Sequence, residues 1–152
     1  MPASVAAGAL ALCLSSIGAT GTAVTAQIPL DGKTQTFSIA WMHSIEKTQW
    51  TEQWMAIGHS ASNTRPHLRL LRARIETSGA GMEIPEGSVL RHGGYDYEVQ
   101  KDLPSVTLSH SPFTAQATLC AAGECRVLTN WLKGLPKIAA VELTPCMHQP
   151  GL

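Results

Sequence analysis

The chain has 152 residues, of which 44% are hydrophobic and 14% charged, and its eleven Lys and Arg balance its eleven Asp and Glu. This length predicts one domain with its own core, and the zero net charge argues against a nucleic-acid or anionic-membrane partner held by bulk charge. The charges are unevenly distributed, because none precedes Asp31.

The uncharged N-terminus has the pattern of a secretory leader. Residues 5–17 (VAAGALALCLSSI) form an apolar stretch as long as a signal-peptide core and too short to span a bilayer. Residues 23–26 (AVTA) offer the small side chains that a signal peptidase recognises, although the leader lacks a basic n-region. We therefore expect residues 1–26 to be a signal peptide. Residues 27–152 are then a periplasmic or secreted domain with no stable membrane insertion; a buried or disordered N-terminal arm is the alternative.

Alternating apolar and polar residues predict strands along the rest of the chain. One face of residues 35–46 carries Phe37, Ile39, Trp41, His43 and Ile45. One face of residues 50–57 carries Trp50, Glu52, Trp54 and Ala56. The two segments predict a β-hairpin that holds three of the four tryptophans.

Shorter strands are predicted further along, with Gly and Pro between them. They are expected at residues 68–77, 89–99, 106–110, 114–120, 125–128 and 138–143, with a helical turn at 130–134. About seven or eight strands without a repeat or linker indicate a mainly β protein, a single-domain antiparallel β-sandwich or small barrel.

Three cysteines lie in the predicted mature chain. Cys120 and Cys125 flank Ala-Ala-Gly-Glu, which predicts a hairpin joined by a disulfide near its turn. Cys146 makes the count odd, so the connectivity stays open. A zinc site is the less favoured alternative, because four residues between two cysteines is a wide spacing for a zinc knuckle and only His148 lies close to the third.

Two segments, residues 41–54 and 79–85, combine tryptophans with polar side chains. Consecutive residues of a strand point to opposite faces, so His43 and Ser44 cannot act together as base and nucleophile. The loop at residues 79–81 can bring backbone N–H groups close to a ligand. An aromatic wall with a few polar groups suits an organic solute or sugar. We assign a candidate binding site to Ser44, Glu46, Trp50, Glu52, Trp54, Gly81 and Glu83.

The same residues permit other interpretations. Trp41 and His43 are assigned structural roles, as core residues, and the remaining tryptophans could also be core. A hydrolase or metal enzyme would use His43, Glu46 and Glu83 with His92 or His110, but no paired His spacing supports a metal site. We therefore assign no catalytic residue, metal or cofactor.

A run of arginines also has two interpretations. Arg69, Arg72 and Arg74 could form a basic stripe that holds a carboxylate ligand, because a guanidinium donates two parallel hydrogen bonds. Such a run is more often the solvated face of a strand, paired here with Glu76 and Glu98.

These segments resemble a bacterial family, the domain of unknown function 1850 family. Its members share a Trp-x-His-Ser-Val-Glu stretch, Trp-x-Glu, an Ala-Arg pair and a Gly-Ala-Gly-Met-Glu-x-Pro loop. The chain shows them in order at residues 41–46, with Ile45 in place of Val, and at residues 50–52, 73–74 and 79–85. Ser111-Pro112, Cys120 and Cys125 also fit, and the resemblance extends over residues 37–146.

The resemblance implies a small exported protein that is often encoded beside TRAP transporters of the TAXI type, which import organic solutes. We therefore expect a non-enzymatic exported β-domain that is an accessory to TRAP/TAXI-type uptake. Its expected partners are components of the transporter and a small organic solute. The alternatives are a binding module for an organic acid or sugar, or a hydrolase or metal enzyme that uses the His-Ser-x-Glu and Gly-Ala-Gly-Met-Glu motifs.

Overall fold

The computed structural model describes residues 9–17, 23–30, 35–42, 48–58, 65–76 and 85–148. These residues form eleven strands and one short helix. In chain order the elements are β1 (Leu10–Ile17), β2 (Ala23–Pro29), β3 (Thr36–Met42), β4 (Gln49–Ile57), β5 (His67–Ile75), β6 (Val89–Arg91), β7 (Gly94–Leu103), β8 (Val106–His110), β9 (Thr118–Ala121), β10 (Glu124–Val127), α1 (Leu128–Trp131) and β11 (Ala139–Met147).

The strands form two antiparallel sheets that pack face to face, which confirms the predicted sandwich. One sheet has four strands in the order β2-β1-β11-β8, and the other has seven in the order β10-β9-β3-β4-β5-β7-β6. Strands β1 and β11 contact β4 and β5 across the interface. The described strands do not close into a barrel, so the sandwich is the correct one of the two predicted architectures.

The strand count is higher than the predicted seven or eight. Two additional strands precede β3: β1 lies within the segment predicted to be a leader, and β2 begins in it. The predicted strand at residues 89–99 is two strands, β6 and β7, because the turn at His92 and Gly93 reverses the chain with φ of 50° and 79°. Gly94 follows and lies against Arg74.

The hairpin of β3 and β4 has the predicted faces. Phe37 pairs with Trp54, Ile39 with Glu52 and Trp41 with Trp50. Phe37, Ile39 and Trp54 are buried in the core between the sheets. The period-2 pattern therefore identified the inward face of both strands.

Strand β5 departs from simple alternation. A bulge at Leu71 shifts the register, because Gln53 pairs with Arg72 while the next residue, Trp54, pairs with Leu70. The extra residue allows Leu68 and Leu70 before the bulge, and Ala73 and Ile75 after it, to be buried together. Inward residues therefore alternate on each side of the bulge, but the alternation is out of phase between Leu70 and Ala73.

The hairpin of β9 and β10 is confirmed together with its disulfide. Cys120 pairs directly with Cys125 in the ladder, and the two form a disulfide bond. Ala122 and Gly123 make the turn with φ of 54° and 78°, the left-handed values that a two-residue hairpin turn needs. The bond excludes the alternative zinc site at these cysteines.

The N-terminal segment lies inside the sandwich. Leu12 and Leu14 of β1 are 0% and 1% exposed, and β1 is hydrogen-bonded to β2 on one side and β11 on the other. Cys13 forms a disulfide bond with Cys146. With Cys13 present, Cys146 has a partner, and the two disulfides are Cys13–Cys146 and Cys120–Cys125. Cleavage after Ala26 would remove β1 and divide β2.

All four cysteines are in disulfides. Disulfides persist in oxidising compartments and are rare in the cytosol, so they indicate a non-cytoplasmic protein. Within the described ranges, no helix has the length and apolar character of a membrane span.

We expect the two disulfides to differ in their contribution to stability. On the chain-entropy model, the bond between Cys13 and Cys146, 133 residues apart, contributes about 5 kcal/mol and the bond across five residues about 2 kcal/mol. The Cys13→Ala/Cys146→Ala variant should therefore lose more free energy of unfolding in urea than Cys120→Ala/Cys125→Ala.

Peptide mapping of the unreduced, exported protein provides the matching covalent test. The buried residues of β1 lead us to expect a peptide that contains Cys13 joined to Cys146. A mature chain that begins at Gln27, or equal losses of stability in the two double variants, would contradict the role of β1 described here.

Candidate functional site

The inward face of β4 places a carboxylate in a row of large apolar side chains. Trp50, Glu52, Trp54 and Ala56 follow one another along this face, as predicted. Glu52 lies between Ile39 of β3 and Ala73 of β5, which are 0% and 2% exposed. A glutamate at such a position costs stability unless its charge is compensated. This residue is therefore a candidate for a functional role.

Glu52 lines a cavity between the two sheets, which we name the Glu52 cavity. Its volume is about 380 Å³, within the range typical of small-molecule sites. Its lining combines the ends of β3 and β4 with the edge strand β8 and the segment that precedes β9. The lining residues are Trp41, Met42, Glu52, Val106, Thr107, Leu108, Ser109, Thr114, Ala115 and Ala117.

On its own sheet, Glu52 has apolar neighbours and one further acidic group nearby. Glu52 is half-buried and has no hydrogen-bond or ion-pair partner among the described residues, and burial raises the pKa of its carboxyl. Tyr97 lies two strands away, beyond the small side chain of Ala73. Burial raises the pKa of Tyr97, and the charge of Glu52 raises it further. The second titratable group near the carboxylate is therefore also an acid.

The tryptophans divide between the cavity and the core. Trp41 lines the cavity and stacks on Trp50, with ring centroids 6.1 Å apart. Trp54 is 2% exposed and stacks on Phe37 in the core, with centroids 6.4 Å apart. Trp41, assigned to structure in the sequence analysis, therefore faces the cavity. Trp50 lies behind it, and Trp54 does not line the cavity.

The remaining residues of the predicted site lie outside the described residues. They are Ser44, Glu46, Gly81 and Glu83, together with His43. The described residues beside the two segments are neighbours, because Met42 pairs with Gln49 and the backbone N–H of Glu76 donates to the carbonyl of Gln49 at 2.9 Å. The chain therefore enters residues 43–47 and 77–84 from the same end of the sheet, where Trp41 and Met42 line the cavity.

The arginines of β5 lie on the opposite, outward face of the sheet. Arg74 donates to Glu76, to Asp96 at 3.0 Å, and to the backbone carbonyls of Arg91 and His92 at 3.0 and 3.2 Å. Hydrogen bonds to the two carboxylates raise the pKa of this guanidinium above its usual range. Arg74 therefore braces β5 against the β6–β7 hairpin, which gives the Ala-Arg pair of the sequence motif a structural explanation.

Arg69 is also committed to an ion pair. It donates to both carboxylate oxygens of Asp102, at 2.7 and 3.1 Å, and these bonds hold the pKa of Asp102 below its usual range. Arg72 is exposed beside a smaller pocket of about 200 Å³. The predicted ion pair with Glu76 is confirmed. The other carboxylates that pair with these arginines are those of Asp96 and Asp102, and not that of Glu98.

The described residues contain no group of three metal-ligating side chains. His92 lies in the turn between β6 and β7, and His110 ends β8 in the other sheet. His92 and His110, the two described histidines of the proposed metal site, therefore belong to different sheets.

The sequence analysis did not predict that β8 and residues 114–117 line the cavity. Strand β8 was predicted with its observed bounds, but alternation along a strand carries no information about which sheet it joins. Glu52, which the sequence analysis assigned to the binding site, does line the cavity, and it is the charged member of an otherwise apolar strand face.

We expect Glu52→Gln to stabilise the protein in a pH-dependent way. The pKa of the Glu52 carboxyl is higher in the folded protein than in the unfolded chain. Below the unfolded value the carboxyl is protonated in both states and does not lower the free energy of unfolding. As the pH rises through the folded value, the carboxyl ionises in the folded protein too, and burial of its charge destabilises the fold. The variant should therefore have a larger free energy of unfolding than the wild type at pH 7, and the difference should shrink as the pH falls below the ordinary Glu value.

Urea denaturation at several pH values from about 3.5 to about 8 measures this difference. This range begins near the ordinary pKa of a glutamate carboxyl and extends well above it. Glu142→Gln is the matched control, because Glu142 is exposed on β11. Identical pH profiles for the two variants would contradict the burial of Glu52.

Comparison with known proteins identifies a family for most of the chain. A family described as a domain of unknown function (DUF1850) matches residues 37–128. This match begins at Phe37 in β3 and ends at the start of α1, so it includes Trp41, Glu52 and the cavity residues of β8. Neither a curated protein nor a solved structure matches the chain.

Proposed function

The chain belongs to the DUF1850 family of domains of unknown function, and from this premise we propose that it is an exported β-sandwich that binds a small organic solute. The binding site is the Glu52 cavity. The wider role that we propose is that of a non-enzymatic accessory to TRAP/TAXI-type solute uptake, with components of the transporter as partners.

The observation that supports binding is a carboxylate without a partner among the described residues in a cavity with an aromatic wall. Most ligand sites are largely apolar concavities with a few polar groups that orient the ligand. Here Val106, Leu108 and Trp41 provide apolar surface, while the carboxylate of Glu52 is the charged lining group. The inward carboxylate costs stability, so a ligand that pairs with it would offset that cost.

Binding is better supported than catalysis. The hydrolase and metal hypotheses depend on His43, Glu46 and Glu83, which lie outside the described residues. The described lining of the cavity offers one charged group, the carboxylate of Glu52, and no histidine or cysteine. A single carboxylate can pair with a ligand without a chemical step.

Two disulfides support export to the periplasm or the exterior. The link to TRAP/TAXI transport is supported by the family resemblance alone, since neighbouring genes suggest a shared task. A small domain with one solute cavity fits such a task, because the transporter imports organic solutes.

We expect binding of a solute to change the fluorescence of Trp41. A panel of organic amines, polyols, sugars and organic acids is titrated into the full protein, and the emission is recorded. Trp41→Phe should lose most of the change that the wild type shows. Trp131→Phe is the matched control, because Trp131 donates to the carbonyl of Leu119 at 2.9 Å and does not line the cavity.

An equal fluorescence change in both tryptophan variants would show that the solute binds outside the Glu52 cavity. No response and no thermal stabilisation by any solute of the panel would count against the proposed binding function.

We expect TRAP/TAXI components to co-purify with the tagged protein from solubilised membranes, and solute uptake to fall when its gene is deleted. Binding to the transporter and binding of the solute are separable, so Glu52→Gln should still co-purify. Recovery of no transporter component, together with unchanged uptake in the deletion strain, would reject the accessory role but not the solute site.

A further inference from the structure

We propose that the Glu52 cavity selects small organic amines, whose ammonium group pairs with Glu52 while the apolar part lies against Trp41. This inference rests on the proposed solute-binding function and specifies the class of ligand. It replaces the organic acids and sugars that the sequence analysis favoured.

The charge that the described lining residues place in the cavity is negative. Glu52 is the only charged side chain among the described lining residues, which include no Lys, Arg or His. A carboxylate ligand would bring a second negative charge beside Glu52, and the described lining residues supply no cation to compensate either one. Like charges in a partly desolvated site repel strongly, so organic acids are disfavoured.

The nearest arginines of the sheet point away from the cavity. Arg69 and Arg74 alternate with the buried residues of β5, so they lie on the outward face of the sheet, away from Glu52. Their guanidinium groups are held by Asp102, Glu76 and Asp96. Neither arginine is available to neutralise Glu52 from within the described sheet, so a cationic ligand would supply the compensating charge there.

One wall of the cavity is aromatic. Trp41 lines the cavity and is held by stacking on Trp50, so its ring is fixed before a ligand enters. The face of an indole attracts cations, and it attracts them best among the aromatic side chains. Trp41 can therefore contact either the ammonium group or the adjoining carbon chain.

Burial makes the ionised form of Glu52 costly. Burial raises its pKa, so the ionised carboxyl is less stable in the folded protein than in water. A neutral alcohol or sugar would leave that charge uncompensated after it displaced water. An ammonium group compensates the charge directly through a charge-assisted hydrogen bond.

Three probes with a common ring isolate the charge: cyclohexylmethylamine, cyclohexylmethanol and cyclohexanecarboxylate. Their dissociation constants are measured by calorimetry with the wild type, Glu52→Gln and the control Glu142→Gln, all as the full chain. We expect the wild type to bind the amine at least about ten-fold more tightly than the alcohol, with the carboxylate weakest, because only the amine pairs with Glu52.

Glu52→Gln should lose that preference by about the same factor and still bind the alcohol, which shows that the cavity is intact. Glu142→Gln should bind all three probes as the wild type does. A preference for the amine that persists in Glu52→Gln, or tighter binding of the alcohol or carboxylate by the wild type, would overturn the amine inference and leave the solute site standing. Binding of no probe, when the wider panel also fails, would overturn both.

Discussion

The inward face of the seven-stranded sheet has to be covered, and this requirement organises the protein. Phe37, Ile39 and Trp54 on that face are buried because β1 and β11 pack over β4 and β5. Strand β1 lies inside the four-stranded sheet, and Cys13 joins it covalently to β11 through Cys146. The hydrophobic effect thus makes the N-terminal strand part of the core instead of an appendage.

The cavity lies where the edge strand of the covering sheet meets the ends of β3 and β4. Strand β8 is hydrogen-bonded to β11 on one side, and its residues face Trp41 and Glu52 across about 380 Å³ of open space. The same inward face that builds the core therefore also builds the site. Trp54 and Glu52 are two residues apart on one strand, yet one is core and the other lines a cavity, because the cover over them differs.

Local pattern predicted the parts that depend on neighbouring residues. Alternation identified the inward faces of β3 and β4, and the spacing of Cys120 and Cys125 around a short turn predicted their hairpin and disulfide. The pattern did less well at β5, where a bulge at Leu71 changes which residues face inward. A bulge is a feature of pairing between strands, so a single strand carries little sign of it.

By itself the sequence determined the fold class, the inward-facing positions of the main hairpin and the presence of a charged residue among them, because a period of two residues is a local property. Tertiary structure alone decided two further points. One is that the apolar segment at residues 10–17 pairs with β2 and β11, since an apolar run fits a leader or a buried strand equally well until a partner is present. The other is that β8 lies opposite Glu52, because strands far apart in the chain are brought together only by the packing of the two sheets.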